Sequence, residues 1–233
     1  MLLKNKLLHL TATLCLLLTA ASVSSSTMAA ETVSVDALDA AWELKRDKDG
    51  IKVFTREVPG SSHQAVRAEM VIDASLNSVV GLIRDTSSCS EWAELCKEAR
   101  EHKVVSELEL YVYSYNDIPW PVKDRDALTH VLWSRNAETG AVTMNAEATQ
   151  GILPEISKAV RIIEAVTNWT LTPQADGKVA IVSYAHINPN GPTPAWVTNL
   201  LLVETPFKTL QGMRRVVATG RYDDAQFDFL KPL

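Results

Sequence analysis

Residues 194–219 read PAWVTNLLLVETPFKTLQGMRRVVAT, and this stretch decides the fold. Its apolar side chains recur near the 3.6-residue period of an amphipathic helix, at Trp196, Leu200, Val203, Phe207, Leu210 and Val217. We predict one helix over residues 194–219, roughly 39 Å long at a rise of 1.5 Å per residue. Pro206 lies inside it and predicts a kink, because proline cannot donate the main-chain hydrogen bond of that turn.

The chain before this helix consists mainly of short alternating runs separated by turn residues. Residues 42–46 and 51–56 flank an Asp-Gly pair, the pattern of a β-hairpin. One helix interrupts the runs, with Ser75 as its N-cap. The further strand candidates are residues 64–72, 104–105 with 111–115, 127–133, 141–148, 160–171 and 178–187. Such closely spaced strands indicate antiparallel meanders, so we predict an α+β fold in which a curved antiparallel sheet grips the long C-terminal helix.

The N-terminal residues have the layout of a secretory signal peptide. A charged start and an apolar run are followed by small residues before a cut after Ala29 or Ala30. The apolar run is interrupted by polar residues and is shorter than the ~18 residues that a membrane span needs. We expect residues 1–29 to be removed on export, residues 31–220 to form one domain, and residues 221–233 to form a tail.

Composition and charge narrow the classes of function. Loss of residues 1–29 takes away two lysines and no acid, so the net charge changes from −5 to −7. An acidic chain argues against nucleic acid as a partner, because phosphate binding requires a basic face. The absence of multiple glycosylation sequons favours a Gram-negative periplasm over a eukaryotic secretory route. We expect a periplasmic monomer that is large enough to enclose a core or a cavity.

Cys89 and Cys96 form an even pair in a chain that we expect to reach an oxidising compartment. A disulfide between them would stabilise the fold by roughly 2–3 kcal/mol in the chain-entropy model. Two free buried thiols are the alternative. No histidine or further cysteine accompanies the pair at ligand spacing, so we expect no metal site, and no motif predicts a cofactor.

Four segments in fixed order carry a family resemblance. They are Asp49-Gly50-Ile51-Lys52-Val53-Phe54-Thr55-Arg56, Pro119-Trp120-Pro121-Val122-Lys123-Asp124-Arg125-Asp126, Gly151-Ile152-Leu153-Pro154 with Val160-Arg161-Ile162, and Asn190-Gly191 with Pro194, Trp196 and Asn199. Together they resemble the START domains, the lipid-transfer domains of the helix-grip superfamily, over about residues 42–218. The resemblance implies a hydrophobic tunnel between the sheet and the last helix that holds one lipid or other apolar molecule.

The resemblance also implies that residues 188–195 form part of a lid, so we expect transient membrane contact through residues 188–196. The chain departs from the sterol-carrying members at one position. Some of those members have a buried arginine six residues after the position of Arg125, where this chain has Val131. The buried ion pair of those members is therefore not supported here, which argues against cholesterol binding by the same mechanism.

The alternation of side chains along the strands predicts which residues line the tunnel. Alternate residues of the strand over residues 127–133 share a face, and the family motif implies that this face looks into the tunnel. The predicted lining residues are Tyr113, Thr129, Val131, Trp133, Trp196, Asn199, Leu200, Val203 and Phe207. Cross-strand packing is the alternative for Tyr113, and a core anchor is the alternative for Trp196. A one-residue slip of register would exchange the strand set for its complement.

Arg125 and Asp126 are adjacent, so on a strand they point to opposite faces. We expect both to be structural residues that fix the corner over residues 119–121, with a ligand role for Arg125 as the alternative. His130 lies on the face opposite the predicted tunnel, where a histidine is usually exposed or hydrogen-bonded rather than catalytic.

No catalytic motif is present: the chain has no G-x-S-x-G, H-E-x-x-H, P-loop or G-x-G-x-x-G pattern. We therefore predict a non-enzymatic binding module that takes a lipid or other hydrophobic molecule for transfer or sequestration in the cell envelope. The alternative is a cyclase-like or hydrolase-like enzyme on the same scaffold, whose scattered acids and bases would leave no motif. A third hypothesis is a cavity filled by side chains, which would make the protein an interaction partner.

Overall fold

Strands and a divided C-terminal helix make up most of the computed structural model, which describes residues 42–191 and 193–231. The predicted signal peptide lies outside the described residues. The ten strands are β1 (Glu43–Lys48), β2 (Ile51–Arg56), β3 (Ala65–Ile72), β4 (Cys96–Ser106), β5 (Glu109–Asn116), β6 (Asp124–Arg135), β7 (Val142–Ala148), β8 (Ala159–Arg161), β9 (Glu164–Pro173) and β10 (Val179–Asn188). The helices are α1 (Leu76–Arg84), α2 (Cys89–Trp92), α3 (Ala195–Asn199) and α4 (Thr205–Val217), with 3₁₀ turns at Thr86–Ser88 and Asp228–Leu230.

The strands form one sheet in the order β1-β2-β3-β10-β9-β7-β6-β5-β4, and every neighbouring pair along this path is antiparallel. The predicted hairpin is present: Asp49 and Gly50 both have positive φ, as a two-residue hairpin turn requires. The predicted cap is also present, since the hydroxyl of Ser75 accepts a hydrogen bond from the main-chain N–H of Ser78. The fold is the predicted sheet around a long C-terminal helix.

Two strands differ from the sequence-based prediction. The candidate over residues 160–171 is broken into β8 and β9, and β8 pairs in parallel with β6. The break turns the Arg161 side chain onto Asp126, and the N–H of Ile162 donates to the Asp126 carbonyl at 2.8 Å. In addition, β4 extends from Cys96 and not only over residues 104–105. It is a solvent-exposed edge strand rich in charged residues, so its sequence carries little hydrophobic alternation.

The C-terminal helix runs over residues 195–217 and contains one π-helical turn, Leu200–Glu204. In this turn the N–H of Thr205 donates to the carbonyl of Leu200, five residues back. Pro206, in the first turn of α4, has no N–H to continue the α-helical pattern, which gives the predicted distortion a physical cause. The turn therefore inserts one extra residue between α3 and α4.

The α4 helix packs on the inner face of the sheet and on α1. Its fully buried residues include Leu210 and Met213, and these join Ile51, Val53 and Val79 in the core. Residues 221–231 cover one end of this core, where Tyr222, Phe227 and Phe229 pack against it and Leu230 is buried.

Cys89 and Cys96 form a disulfide with a Cα–Cα distance of 5.9 Å, as predicted in preference to two free thiols. The closed loop carries α2 and lies against α4. The N–H of Glu94 donates to the hydroxyl of Thr209 at 3.1 Å, and a Cβ added at Gly212 would lie 2.3 Å from the Trp92 carbonyl oxygen. Glycine is therefore the residue that allows this close approach of helix and loop.

Candidate ligand-binding cavity

A cavity of about 750 Å³ lies between the sheet and the C-terminal helix. Residues of β3, β9 and β10 form its sheet side: Val66, Thr167, Trp169, Ser183, Tyr184 and Ala185, with Ile187 at the strand end. Residues of α3, the π-helical turn and α4 form its helix side: Val197, Thr198, Leu201, Leu202, Thr205, Pro206 and Thr209. Its volume falls in the ~300–1,000 Å³ range of small-molecule sites, and apolar and hydroxyl groups dominate the lining.

The helix side presents a different face from the one predicted. Phe207 and Leu210 of the predicted stripe pack in the core, but Trp196, Asn199, Leu200 and Val203 are not among the lining residues. The π-helical turn explains the offset, because one extra residue rotates the face before it by about 100°. Val197, Leu201 and Leu202 occupy the inward positions instead, and Trp196 is 46% exposed.

The predicted strand residues lie away from this cavity. Tyr113, Val131 and Trp133 are buried, and Thr129 is half-buried with its hydroxyl donating to the Val112 carbonyl at 3.2 Å. The sheet order separates β6 from β10 by two strands, and Trp133 contacts Phe229 at a ring-centroid distance of 6.1 Å. Around Val131 and Trp133 the inner face of β6 is thus covered by core and C-terminal residues, and a ligand role for the four predicted residues stays a prediction.

Arg125 lines the cavity at the end where β6 begins. Its side chain is buried, and its guanidinium donates to three main-chain carbonyls, those of Lys123, Pro189 (2.9 Å) and Asn190 (3.3 Å). Burial lowers the pKa of Arg125, against the opposing effect of nearby Asp124. Arg125 thereby ties the corner before β6 to the loop after β10.

Asp126 points away from Arg125 and forms a buried ion pair with Arg161. Two guanidinium nitrogens donate to its carboxylate at 2.9 and 2.7 Å. The hydroxyl of Tyr113 also donates to Asp126, at 3.3 Å. Hydrogen bonding to Asp126 raises the pKa of Arg161, whereas burial and then the charge of Asp126 raise that of Tyr113.

Arg161 was not singled out by sequence reasoning, although it lies in one of the segments that carried the family resemblance. It donates to the carbonyls of Leu153 and Pro154, and its own carbonyl accepts from the Asn190 side chain at 3.1 Å. The pair therefore joins β6, β8 and the loop after β10 at the same end of the cavity. Arg161 and Asp126 are 35 positions apart, so the sequence alone cannot identify them as an ion pair.

Some of the remaining polar groups of the lining are engaged in hydrogen bonds or ion pairs. Glu57 accepts from Gln64 at 2.5 Å, and Glu94 accepts from Lys208 at 3.0 Å. The hydroxyl of Thr205 is buried and has no hydrogen-bond partner. His130 is outside the cavity, hydrogen-bonded to Glu109 at 2.8 Å and stacked on Tyr111.

Within the ranges 42–191 and 193–231, no group of three or more His, Cys, Asp or Glu side chains is arranged to hold a metal ion. No helix in those ranges is both long enough and apolar enough to cross a bilayer.

Comparison with known proteins gives consistent matches. The START domain family model matches residues 22–222. An uncharacterized protein of Pseudomonas aeruginosa is 31% identical over 182 residues, which cover 78% of this chain and 89% of that protein. A STAR-related lipid transfer protein from Xanthomonas axonopodis superposes with a TM-score of 0.70 and 36% identity, over 76% of this chain and 99% of that one. Human StAR-related lipid transfer protein 5 gives a TM-score of 0.70 at 17% identity, over 78% and 88%, which shows a shared fold.

Proposed function

This chain belongs to the START domain family, and from that premise we propose that it binds a lipid or another hydrophobic small molecule in the cavity between the sheet and the C-terminal helix. The observation that carries the proposal is the cavity of about 750 Å³ with its mainly apolar lining. Each Å² of apolar surface buried there contributes about 25 cal/mol before ordering costs. A few polar groups at one end would orient the ligand.

The proposal extends to transfer or sequestration of the ligand in the periplasm. The signal-peptide pattern of residues 1–29 and the Cys89–Cys96 disulfide support an oxidising compartment outside the cytoplasm. Ligand exchange would require the loop over residues 188–191 or the adjoining α3 helix to move, because both border the cavity.

A cavity enzyme on the same scaffold is the alternative, and it would need an acid–base pair facing the ligand. The carboxylates of Glu57 and Glu94 are held by Gln64 and Lys208. His63 also lines the cavity, but its hydrogen bonds to described residues run through its main-chain N–H and carbonyl. The histidine–carboxylate hydrogen bond of the described residues, between His130 and Glu109, lies outside the cavity. These contacts favour binding over catalysis as the proposed function.

Membrane contact through residues 188–196 is part of the proposal. Trp196 is 46% exposed, and Trp120, in the corner tied to this loop by Arg125, is 90% exposed. Tryptophan favours the interface between water and lipid. Replacing both residues with alanine should reduce co-sedimentation with anionic liposomes several-fold, whereas the control Val104→Ala, on exposed edge strand β4, should not change it. Unchanged liposome binding in the double variant would contradict the contact.

Native mass spectrometry of the protein purified from its own host tests ligand binding. Organic extraction of the same protein then identifies any bound molecule. A stoichiometric hydrophobic molecule is the expected result. A protein that is empty, and that also takes up no fluorescent lipid, would refute the proposed function.

A further inference from the structure

Arg125 is a buried cation without a carboxylate partner in the part of the chain that the structure describes. Its residue is 6% exposed, and no Asp or Glu oxygen of the described residues lies within 4.0 Å of its guanidinium. The neighbouring carboxylate of Asp124 is instead hydrogen-bonded to the Tyr115 hydroxyl and to the main-chain N–H of Ile118. Within the described residues, the guanidinium of Arg125 is therefore in direct contact with carbonyl dipoles, and the charge of Asp124 acts on it only from a longer distance.

Arg161 provides an internal comparison, because it is buried to the same depth at 5% exposure. Two of its nitrogens bind the carboxylate of Asp126, at 2.9 and 2.7 Å. The fold thus neutralises one buried guanidinium with its own carboxylate and leaves the other with a net charge. A buried charge is costly unless it is paired, so the open position at Arg125 calls for an anion from outside the chain.

The donors of Arg125 leave room for such an anion. A guanidinium has five N–H donors, and three of them are in the hydrogen bonds to Lys123, Pro189 and Asn190. Two N–H donors remain, on a side chain that lines the cavity beside Asn116, Ile118 and Ile162. A planar fork of this kind matches the oxygens of a carboxylate or a phosphate.

We propose that Arg125 binds the negatively charged headgroup, a carboxylate or a phosphate, of an amphiphile whose apolar part fills the rest of the cavity. This inference rests on the proposed function and names the class of ligand. The headgroup lies beneath residues 189–190, whose carbonyls the same guanidinium holds. Arg125 is then both the headgroup site and the residue that fixes the loop above it.

The test compares matched charged and neutral probes with the full chain. Cis-parinaric acid, a fluorescent fatty acid, and its methyl ester have the same apolar chain and differ in the headgroup charge. The wild type should bind the acid about tenfold or more tightly than the ester, the range that hydrogen bonds to a charged group support. Arg125→Met should remove this preference and retain ester binding, and Arg125→Lys should restore part of it. Lys52→Met, an equal loss of charge at an exposed site on β2, should leave the preference intact.

Competition then distinguishes carboxylate from phosphate. Oleic acid carries a carboxylate and lysophosphatidic acid carries a phosphate, and monoolein is the uncharged control. The competitor that displaces the bound methyl ester at the lowest concentration shows which headgroup Arg125 accepts better. Equal affinity of the wild type for acid and ester would overturn the inference and leave the proposed function standing, since both probes would be bound. Binding of neither probe would overturn both. The comparison of acid and ester binding in the wild type decides the question even if Arg125→Met fails to fold. If Arg125→Met folds and still prefers the acid, that result would also overturn the inference.

Discussion

Gly212→Ala probes how the C-terminal helix is held against the disulfide loop. The new Cβ would lie 2.3 Å from the carbonyl oxygen of Trp92 and 2.8 Å from its Cα. Contacts of a Cβ below 3.0 Å essentially do not occur, so helix and loop must separate by about 0.7 Å. The obstacle is main chain in a loop closed by the Cys89–Cys96 disulfide, which leaves few ways to relax.

The expected change is a loss of about 2 kcal/mol in the free energy of unfolding. Overpacking a well-filled interior costs about 1–3 kcal/mol. The cost at this site lies at the upper end of that range, because the new Cβ meets main chain in a loop that is closed by a disulfide. Replacing glycine with alanine inside a helix returns about 1 kcal/mol through helix propensity. For a domain of this size, the net loss lowers the melting temperature by about 4–8 °C.

Urea denaturation followed by tryptophan fluorescence, with thermal unfolding in parallel, measures this loss. Gly81→Ala in α1 is the matched control, because the gain in helix propensity is the same. The shortest contact of its new Cβ is 3.0 Å, with the side chain of Ala225 and not with main chain. We expect the control to stay within about 1 kcal/mol of wild type. A Gly212→Ala variant as stable as the control would refute the close approach of helix and loop.

Three further predictions concern the ion pair, the disulfide and pH. Asp126→Asn should lower the free energy of unfolding by about 3–5 kcal/mol, because it leaves the charged, buried Arg161 without its carboxylate. Adding Arg161→Met should recover most of the loss in urea denaturation, and no recovery would contradict this cause. Cys89→Ser with Cys96→Ser should cost about 2–3 kcal/mol, and wild type unfolded in reductant should match the double variant; a reductant-insensitive wild type would argue against the disulfide. Burial raises the pKa of Asp85, but hydrogen bonds from Ser87, Tyr222 and Ser88 outweigh it and lower the pKa below 3.8. The ionised form thus stabilises the fold above that pH, and this contribution is lost as pH falls through the folded pKa. Asp85→Asn should flatten that part of the pH dependence in acid titration of stability, and an unchanged profile would count against it.

The Asp49-Gly50 hairpin, the Ser75 cap and the long C-terminal helix could all be predicted because each depends on residues close together in the chain. These are local properties: a turn with two positive φ values, a hydroxyl three residues before the N–H that it accepts from, and apolar side chains repeating every 3.6 residues. The antiparallel pairing of strands that follow each other in the chain, such as β1 with β2 and β5 with β6, follows from the short connections between them. The family resemblance added the position of the cavity between sheet and helix.

The sequence by itself determined an α+β chain with an antiparallel sheet and a terminal amphipathic helix, because side-chain periodicity reports the elements directly. The tertiary structure alone decided which faces meet at the cavity. One extra residue in the π-helical turn moved the inward face from Val203 to Leu202, and the sheet order placed β6 beyond its first residues away from the cavity. The pairing of Asp126 with Arg161 likewise depends on contacts between distant segments, as does the lack of a carboxylate at Arg125 among the described residues. The geometry of the fold determines which buried charge finds a partner.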